Sequence, residues 1–460
     1  MTQRALSAIA ILVALISGQA PVRAYSLQYR DSGGILARRW LTRPIIVAFS
    51  TSLSSPPANI KAGSDVIGAA RRALERWASV ANIQFFETRS TAQTISPPNA
   101  GDGINLITVS TENAAAFGAS ESPGRSRVFH DSGGAIVEAD IALNPTQTFS
   151  TDGSFGTYDL ESTFTHEIGH LLGLEHSGII GATMQPRQAK NGVYGLPAFT
   201  QRTLSEDDST GVRALYGSRA GTGSLSGRLI ASGPSGQLLP VFGGHVFVEE
   251  LSTGRIVAGS VTLASGDYRL SALAPGHYRL IGQSLDGPIS AAEIASAGGS
   301  YSGLGETWPL FRSFAGGGSV SSQSINITSE SAVSLGFTRL VSPPPTIQPR
   351  VIGMNGELST AALPLEPGQT VTVYVGGEGL DQILANGISV SSPFISVNLA
   401  SLAAEEFGTL YPVISFEITV AADAPAGEYS IRLQSPGGEE AYLAGALTVD
   451  PEISFTGIRF

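Results

Sequence analysis

The residues best placed to do chemistry are His166-Glu167-Ile168-Gly169-His170-Leu171-Leu172-Gly173-Leu174-Glu175-His176. The chain has 6 histidines in all, and three fall in this window. His166 and His170 are four apart, so on a helix they lie one above the other on one face. Two imidazoles so placed can each bring a nitrogen to about 2.0–2.1 Å from one zinc ion. Glu167 projects about 100° around the helix, beside the metal, which suits a general base acting on zinc-bound water. Gly173 can adopt the left-handed conformation that ends a helix. The turn would let His176 supply a third nitrogen and leave a fourth metal position open.

The flanking segments must position this window. Asp159 can cap the helix, and Leu160, Phe164, Ile168, Leu171 and Leu172 recur at helical spacing to bury its other face. Gly181-Ala182-Thr183-Met184 is a small-residue turn carrying a methionine. H-E-x-x-H-x-x-G-x-x-H followed by such a turn is the metzincin signature. Ser177 directly after the third histidine, and Pro186 two residues after Met184, resemble the matrixin branch. Leu204-Ser205-Glu206-Asp207-Asp208 through Gly217 looks like its terminal helix, and Trp77 with Asn82-Ile83-Gln84-Phe85 like its first helix and second strand. The resemblance covers roughly residues 36–217. It implies a zinc endopeptidase whose substrate lies extended against an edge strand, with Met184 as an apolar floor beneath the metal. The edge strand is read as Ile136–Leu143.

Elsewhere the catalytic segment mixes strand and helix signals. Strands are expected at Pro44–Ser50, Ile83–Glu87, Ile104–Val109 and Ile136–Leu143. An amphipathic helix is expected over Asp65–Val80, and a Gly/Ser-rich loop between Ser110 and Gly134. Ser205 with Asp208 forms a helix-cap pattern, so structural work is expected of the Asp207-Asp208 pair. The second, structural zinc of animal matrixins has only His130 available here, so one catalytic zinc is expected. Calcium could be held through Asp102, Glu138, Asp140 or loop carbonyls, although no calcium-loop pattern is present.

Arg4, the apolar run from Ala5 to Ile16, and Val22-Arg23-Ala24 read as a signal peptide over residues 1–24, too short to span a bilayer. The expected location is secreted or extracellular, with cell-surface association as the alternative. Absence of cysteine excludes disulfide staples and a cysteine-based latency switch. The net charge of -11 argues against nucleic acid as a partner.

The fold class expected is α+β: a metzincin/matrixin-like zincin catalytic domain followed by two all-β sandwich domains. The catalytic domain is assigned to 25–217 and is expected to be self-sufficient. After a Gly/Ser/Thr linker at Ser218–Ser224, residues 225–340 resemble a carboxypeptidase-regulatory-like β-sandwich. Its signals include Leu273-Ala274-Pro275-Gly276-His277-Tyr278 and an internal echo of Gly266-Asp267-Tyr268-Arg269-Leu270 in Gly276-His277-Tyr278-Arg279-Leu280. Beyond the stiff Ser342-Pro343-Pro344-Pro345, residues 346–450 resemble an immunoglobulin-like module of the IPT/TIG type. Neither module carries a catalytic constellation, and His245 and His277 stand alone. Spacing the enzyme from a surface, and holding a protein or glycan, are the two roles left open to them. The competing reading is an exported surface or adhesion protein in which these modules carry the function.

Overall fold

In the computed structural model, the residues described are 26–28, 37–196, 202–217, 220–233, 235–294, 324–340 and 345–450, with 301, 304, 311 and 313–315. The signal-peptide and Pro-rich linker assignments, residues 1–24 and 342–344, lie outside them. Among the described residues no helix is long and apolar enough to cross a membrane.

The first part is α+β. Strands β1 (Arg39–Trp40), β2 (Ile45–Ser50), β3 (Phe85–Ser90), β4 (Leu106–Thr108), β5 (Gly124–His130) and β6 (Ala135–Leu143) form one sheet. Its order is β1-β6-β4-β2-β3, all parallel, with β5 antiparallel along the outer side of β6. The edge strand is therefore β5, not the Ile136–Leu143 strand expected from the sequence. Its residues, Gly-Arg-Ser-Arg-Val-Phe-His, sit within the segment read as a loop. Arg125, Ser126 and Arg127 carry little apolar alternation, because an edge strand need bury only part of each face.

The first helix, Val66–Val80, is capped by Asp65 and buries Val66, Ala69, Ala70, Ala73, Leu74 and Trp77. The Trp77 indole donates to Thr165 O at 2.8 Å, which fixes this helix against the one that carries the histidine window, Leu160–Leu171. The latter is capped by the Asp159 carboxylate and buried throughout. Its terminal carbonyls would be orphaned in the interior. Trp40 Nε1 donates to Leu171 O at 2.9 Å, Tyr216 Oη to Leu172 O at 2.7 Å, and Gln28 Nε2 to His170 O at 3.1 Å.

Two all-β sandwiches follow. One layer of the first holds Leu238–Pro240, Gly223–Ser232, Asp267–Leu273 and Ala332–Leu340. The other holds Ile256–Val261, His245–Glu250, Gly276–Gln283, Phe314–Ala315 and Ile325–Ile327. The second sandwich pairs a five-stranded sheet, whose central strand is Thr370–Glu378, with a four-stranded sheet containing Gly427–Gln434 and Glu440–Val449. Each sandwich pins a strand with a tyrosine. Tyr278 Oη donates to Ala274 O and Tyr429 Oη to Pro425 O, at 2.7 and 2.6 Å.

The sandwiches are not strung on behind the catalytic part. Ile179, just after the histidine window, is fully buried among Phe247, Ile256 and Ile281 of the first sandwich and Tyr442 and Ala444 of the second. Burial of one such side chain stabilises by about 1.5–3 kcal/mol. Ile180 N donates to Ala444 O at 2.8 Å, and Thr210 Oγ1 to Val257 O at 3.0 Å. Glu428 is one of the buried carboxyls in this junction. Burial first, and then the neighbouring Asp208, push its carboxyl up to about 8. A raised carboxyl binds its proton more tightly in the folded state, so it costs stability as pH climbs from about 4.5 towards 8. Glu428→Gln should leave the melting temperature unchanged near pH 4 and raise it increasingly up to pH 8. Thermal unfolding of both proteins across that range measures the effect.

Candidate metal centre and cleft

The catalytic helix sets His166 and His170 one turn apart, and the chain then reverses at Gly173, whose φ is +98°. A Cβ there would stand 2.3 Å from Arg38 O, so both the turn and the close approach require glycine. The reversal returns His176 to the helix face. His170 Nε2 and His176 Nε2 are 3.2 Å apart, and the ligand atoms of all three histidines lie within 4.8 Å of one another. Among the described residues this is the one group of three or more His, Asp or Glu side chains able to hold a metal.

Each ring is oriented by its other nitrogen. Nδ1 of His166 is 2.8 Å from Thr183 O, Nδ1 of His170 is 2.8 Å from Leu174 O, and Nδ1 of His176 is 2.7 Å from Glu293 O. A carbonyl can only accept, so each Nδ1 carries the proton and each Nε2 presents its lone pair. Burial holds all three rings neutral, with His166 lowered to about 3, His170 to about 4 and His176 well below its ordinary value. Three neutral imidazoles with converging Nε2 atoms fit a tetrahedral zinc site that has one position open.

Glu167 is buried beside the triad. The Ser126 hydroxyl, from edge strand β5, stands 2.7 Å from its Oε2 and 2.8 Å from its main-chain oxygen. Burial pushes its carboxyl up to about 7, against the pull of Ser126 and the charge of Arg125. A Cβ at Gly124 would come within 2.5 Å of Glu167 Oε1, so β5 can pass this close only with glycine there. The cleft, about 580 Å³, runs between β5 and the histidines. Gln28, Arg38, Pro186, Gln188 and Glu293 complete its walls.

Met184 packs under the helix between the two histidine turns; a Cβ on Gly169 would stand 2.2 Å from its sulfur. The turn that carries it is held from below. Asp208 accepts from Thr183 N at 2.7 Å and Met184 N at 3.1 Å, and closes a capping box with Ser205. Asp207 accepts from Ser177 Oγ at 2.7 Å and from Gly259 N of the first sandwich at 2.6 Å. The structural role expected of this pair is what the geometry gives.

Other sequence candidates fall outside the cleft. His130 is exposed, its Nδ1 3.1 Å from Asp131 O. His277 is exposed beside Ser324, and His245 is buried against Phe247 with neither ring nitrogen bonded. Asp102, Glu138 and Asp140 lie near one another, but their oxygens serve the amides of Ile104, Gly103, and Ser96 with Leu106. Only Glu138 Oε1 among them is buried without a partner. The sequence reading missed Ser126, Gly124 and Glu293. The Ser-x₄₀-Glu relation between Ser126 and Glu167 leaves no periodic trace, and Glu293 reaches the site from another domain.

An open sheet with a long antiparallel edge, a histidine-bearing helix, and a methionine turn beneath it define a zincin of the metzincin type. More narrowly, residues 47–217 match the family described as Matrixin, and this segment is a matrixin-like catalytic domain. Metalloendoproteinase 1 of Glycine max is 31% identical over 159 residues, covering 32% of this chain and 44% of that protein. Metalloendoproteinase 4-MMP of Arabidopsis thaliana is 32% identical, over 34% of this chain and 41% of its own length. Interstitial collagenase of Equus caballus is 28% identical, over 34% and 29%. The chain spans less than half the length of these curated relatives. Among solved structures, the major pilin subunit of Bacillus cereus is 17% identical over 48% of this chain and 66% of that one, at a TM-score of 0.15, too low to bear on the fold.

Because Asp208 satisfies two buried amides and a helix end, Asp208→Ala should destabilise the protein by roughly 3 kcal/mol or more. Urea denaturation of the full chain, followed by far-ultraviolet circular dichroism, gives the value.

Proposed function

We propose that this protein is a secreted, zinc-dependent endopeptidase that hydrolyses internal peptide bonds. The observation that carries the reading is the convergence of three neutral imidazole Nε2 atoms beside a buried carboxylate in an open cleft. His166, His170 and His176 would hold the metal. Zinc, when bound, would supply the positive charge that activates water and polarises the scissile carbonyl. Glu167 then takes the proton from water and passes it to the departing amine. The position of the Glu167 carboxyl, beside the three imidazoles and facing the cleft, suits both halves of that task. Ser126 holds the carboxylate in place through its hydroxyl.

The substrate is read as a protein or peptide segment in extended conformation. Among the described residues strand β5 pairs only with β6, so its outer amides and carbonyls can add a further strand. Export rests on the apolar segment after Arg4 and accords with the extracellular reading. A calcium ion held through Asp102, Glu138, Asp140 or loop carbonyls would be revealed by a calcium chelator lowering the melting temperature.

An adhesion protein carried by the β modules is the competing function. An intact Glu167 beside an assembled triad supports the enzyme instead. Purified protein should hold one zinc per chain by elemental analysis. Glu167→Ala should keep that zinc and lose on the order of 10²–10⁴-fold in cleavage of a quenched peptide. His170→Ala should lose both metal and activity. Undiminished cleavage by the Glu167 variant would end this reading.

A further inference from the structure

Of the three imidazoles, His176 alone is oriented from outside the catalytic part. His166 and His170 donate to carbonyls within the matrixin-like segment, at Thr183 and Leu174. The acceptor for His176 is the main-chain oxygen of Glu293, at 2.7 Å, 117 residues further along the chain. Glu293 sits in a short helical turn of the first β-sandwich, Ala291–Ile294, where Ala291 and Ile294 are buried. Ala291 N donates to Leu285 O at 3.0 Å, which ties the turn to the bend that follows strand Gly276–Gln283.

The Glu293 side chain holds the same turn together. Its Oε2 accepts from Ser290 N at 2.9 Å and from Ser290 Oγ at 2.7 Å. Its Oε1 takes the Arg187 guanidinium. Arg187 lies between Pro186 and Gln188, both on the cleft wall. One residue therefore touches a metal ligand through its backbone and the cleft rim through its carboxylate.

We infer that the first β-sandwich is part of the metal centre, with Glu293 as a positioning residue for His176 and for the Arg187 rim. The inference rests on the metal site proposed above. A buried imidazole whose Nδ1–H has an acceptor is held in one tautomer and one orientation, with Nε2 aimed at the ion. Without the acceptor, the ring must leave a buried N–H unbonded or rotate away from its two partners. Groups of this kind typically affect metal affinity by about 10–100-fold.

The test uses the full chain. Ser290→Ala/Glu293→Ala removes both side-chain ties that hold the turn while leaving the histidines intact. Zinc affinity, measured by competition with a chromophoric chelator, should fall by about 10–100-fold, and the visible spectrum of the cobalt-loaded protein should change. Glu293→Gln keeps an oxygen for Ser290 but loses the charge facing Arg187. It should restore metal affinity and the cobalt spectrum while KM for a peptide rises. A folded double variant with wild-type zinc affinity and an unchanged cobalt spectrum overturns the inference. If the double variant fails to fold, the wild-type protein decides. The His176 Nδ1–H proton in zinc-loaded protein should be protected from exchange, as seen by nuclear magnetic resonance. Exchange as fast as that of the exposed His130 ring overturns the inference. Wild-type protein that binds zinc tightly yet cleaves no peptide would refute the endopeptidase reading and leave this one standing.

Discussion

The structure depends on three hydrogen bonds from imidazole Nδ1 atoms to main-chain carbonyls. A buried histidine cannot aim a lone pair at a common point unless its opposite nitrogen has somewhere to place a proton. Each carbonyl is supplied by a different device: Thr183 by the methionine turn, Leu174 by the reversal at Gly173, and Glu293 by a neighbouring domain. Much of the surrounding architecture keeps those three oxygens still. Asp208 fixes the methionine turn through two amides, and Trp40, Tyr216 and Gln28 bind the end of the catalytic helix.

The helix Leu160–Leu171, its cap at Asp159, the glycine turn and the convergence of the three histidines were legible because they are local. Their determinants lie within one run of about two dozen residues, and helical spacing converts directly into a shared face. The first helix was readable for the same reason, with Val66, Ala69, Ala70, Ala73, Leu74 and Trp77 on one side. Strand β5 was not. Its Gly124-Arg125-Ser126-Arg127 start reads as loop because the residues are chosen for what they face across the cleft, namely Glu167 and solvent.

The arrangement of the domains was the least legible part. Gly/Ser and Pro-rich stretches suggested units joined by linkers, each with its own core. Ile179 shows why composition misleads here. It lies three residues after His176 and is apolar, which any turn could accommodate, yet its neighbours are Phe247, Ile256, Ile281, Tyr442 and Ala444. Asp207 is similar. Sequence marks it as part of a helix start, but only the fold reveals the Gly259 amide it also accepts. Contacts between distant segments carry no spacing signal, so a single sequence has no means of announcing them.

The distance along the chain between His176 and Glu293 also sets an order of events during synthesis. A ribosome adding roughly 5–20 residues per second needs on the order of ten seconds to travel those 117 positions. For that interval the emerging polypeptide has two of its three imidazole anchors and lacks the third. Protein still being made is thus distinguished from finished protein by whether the His176 ring has its acceptor.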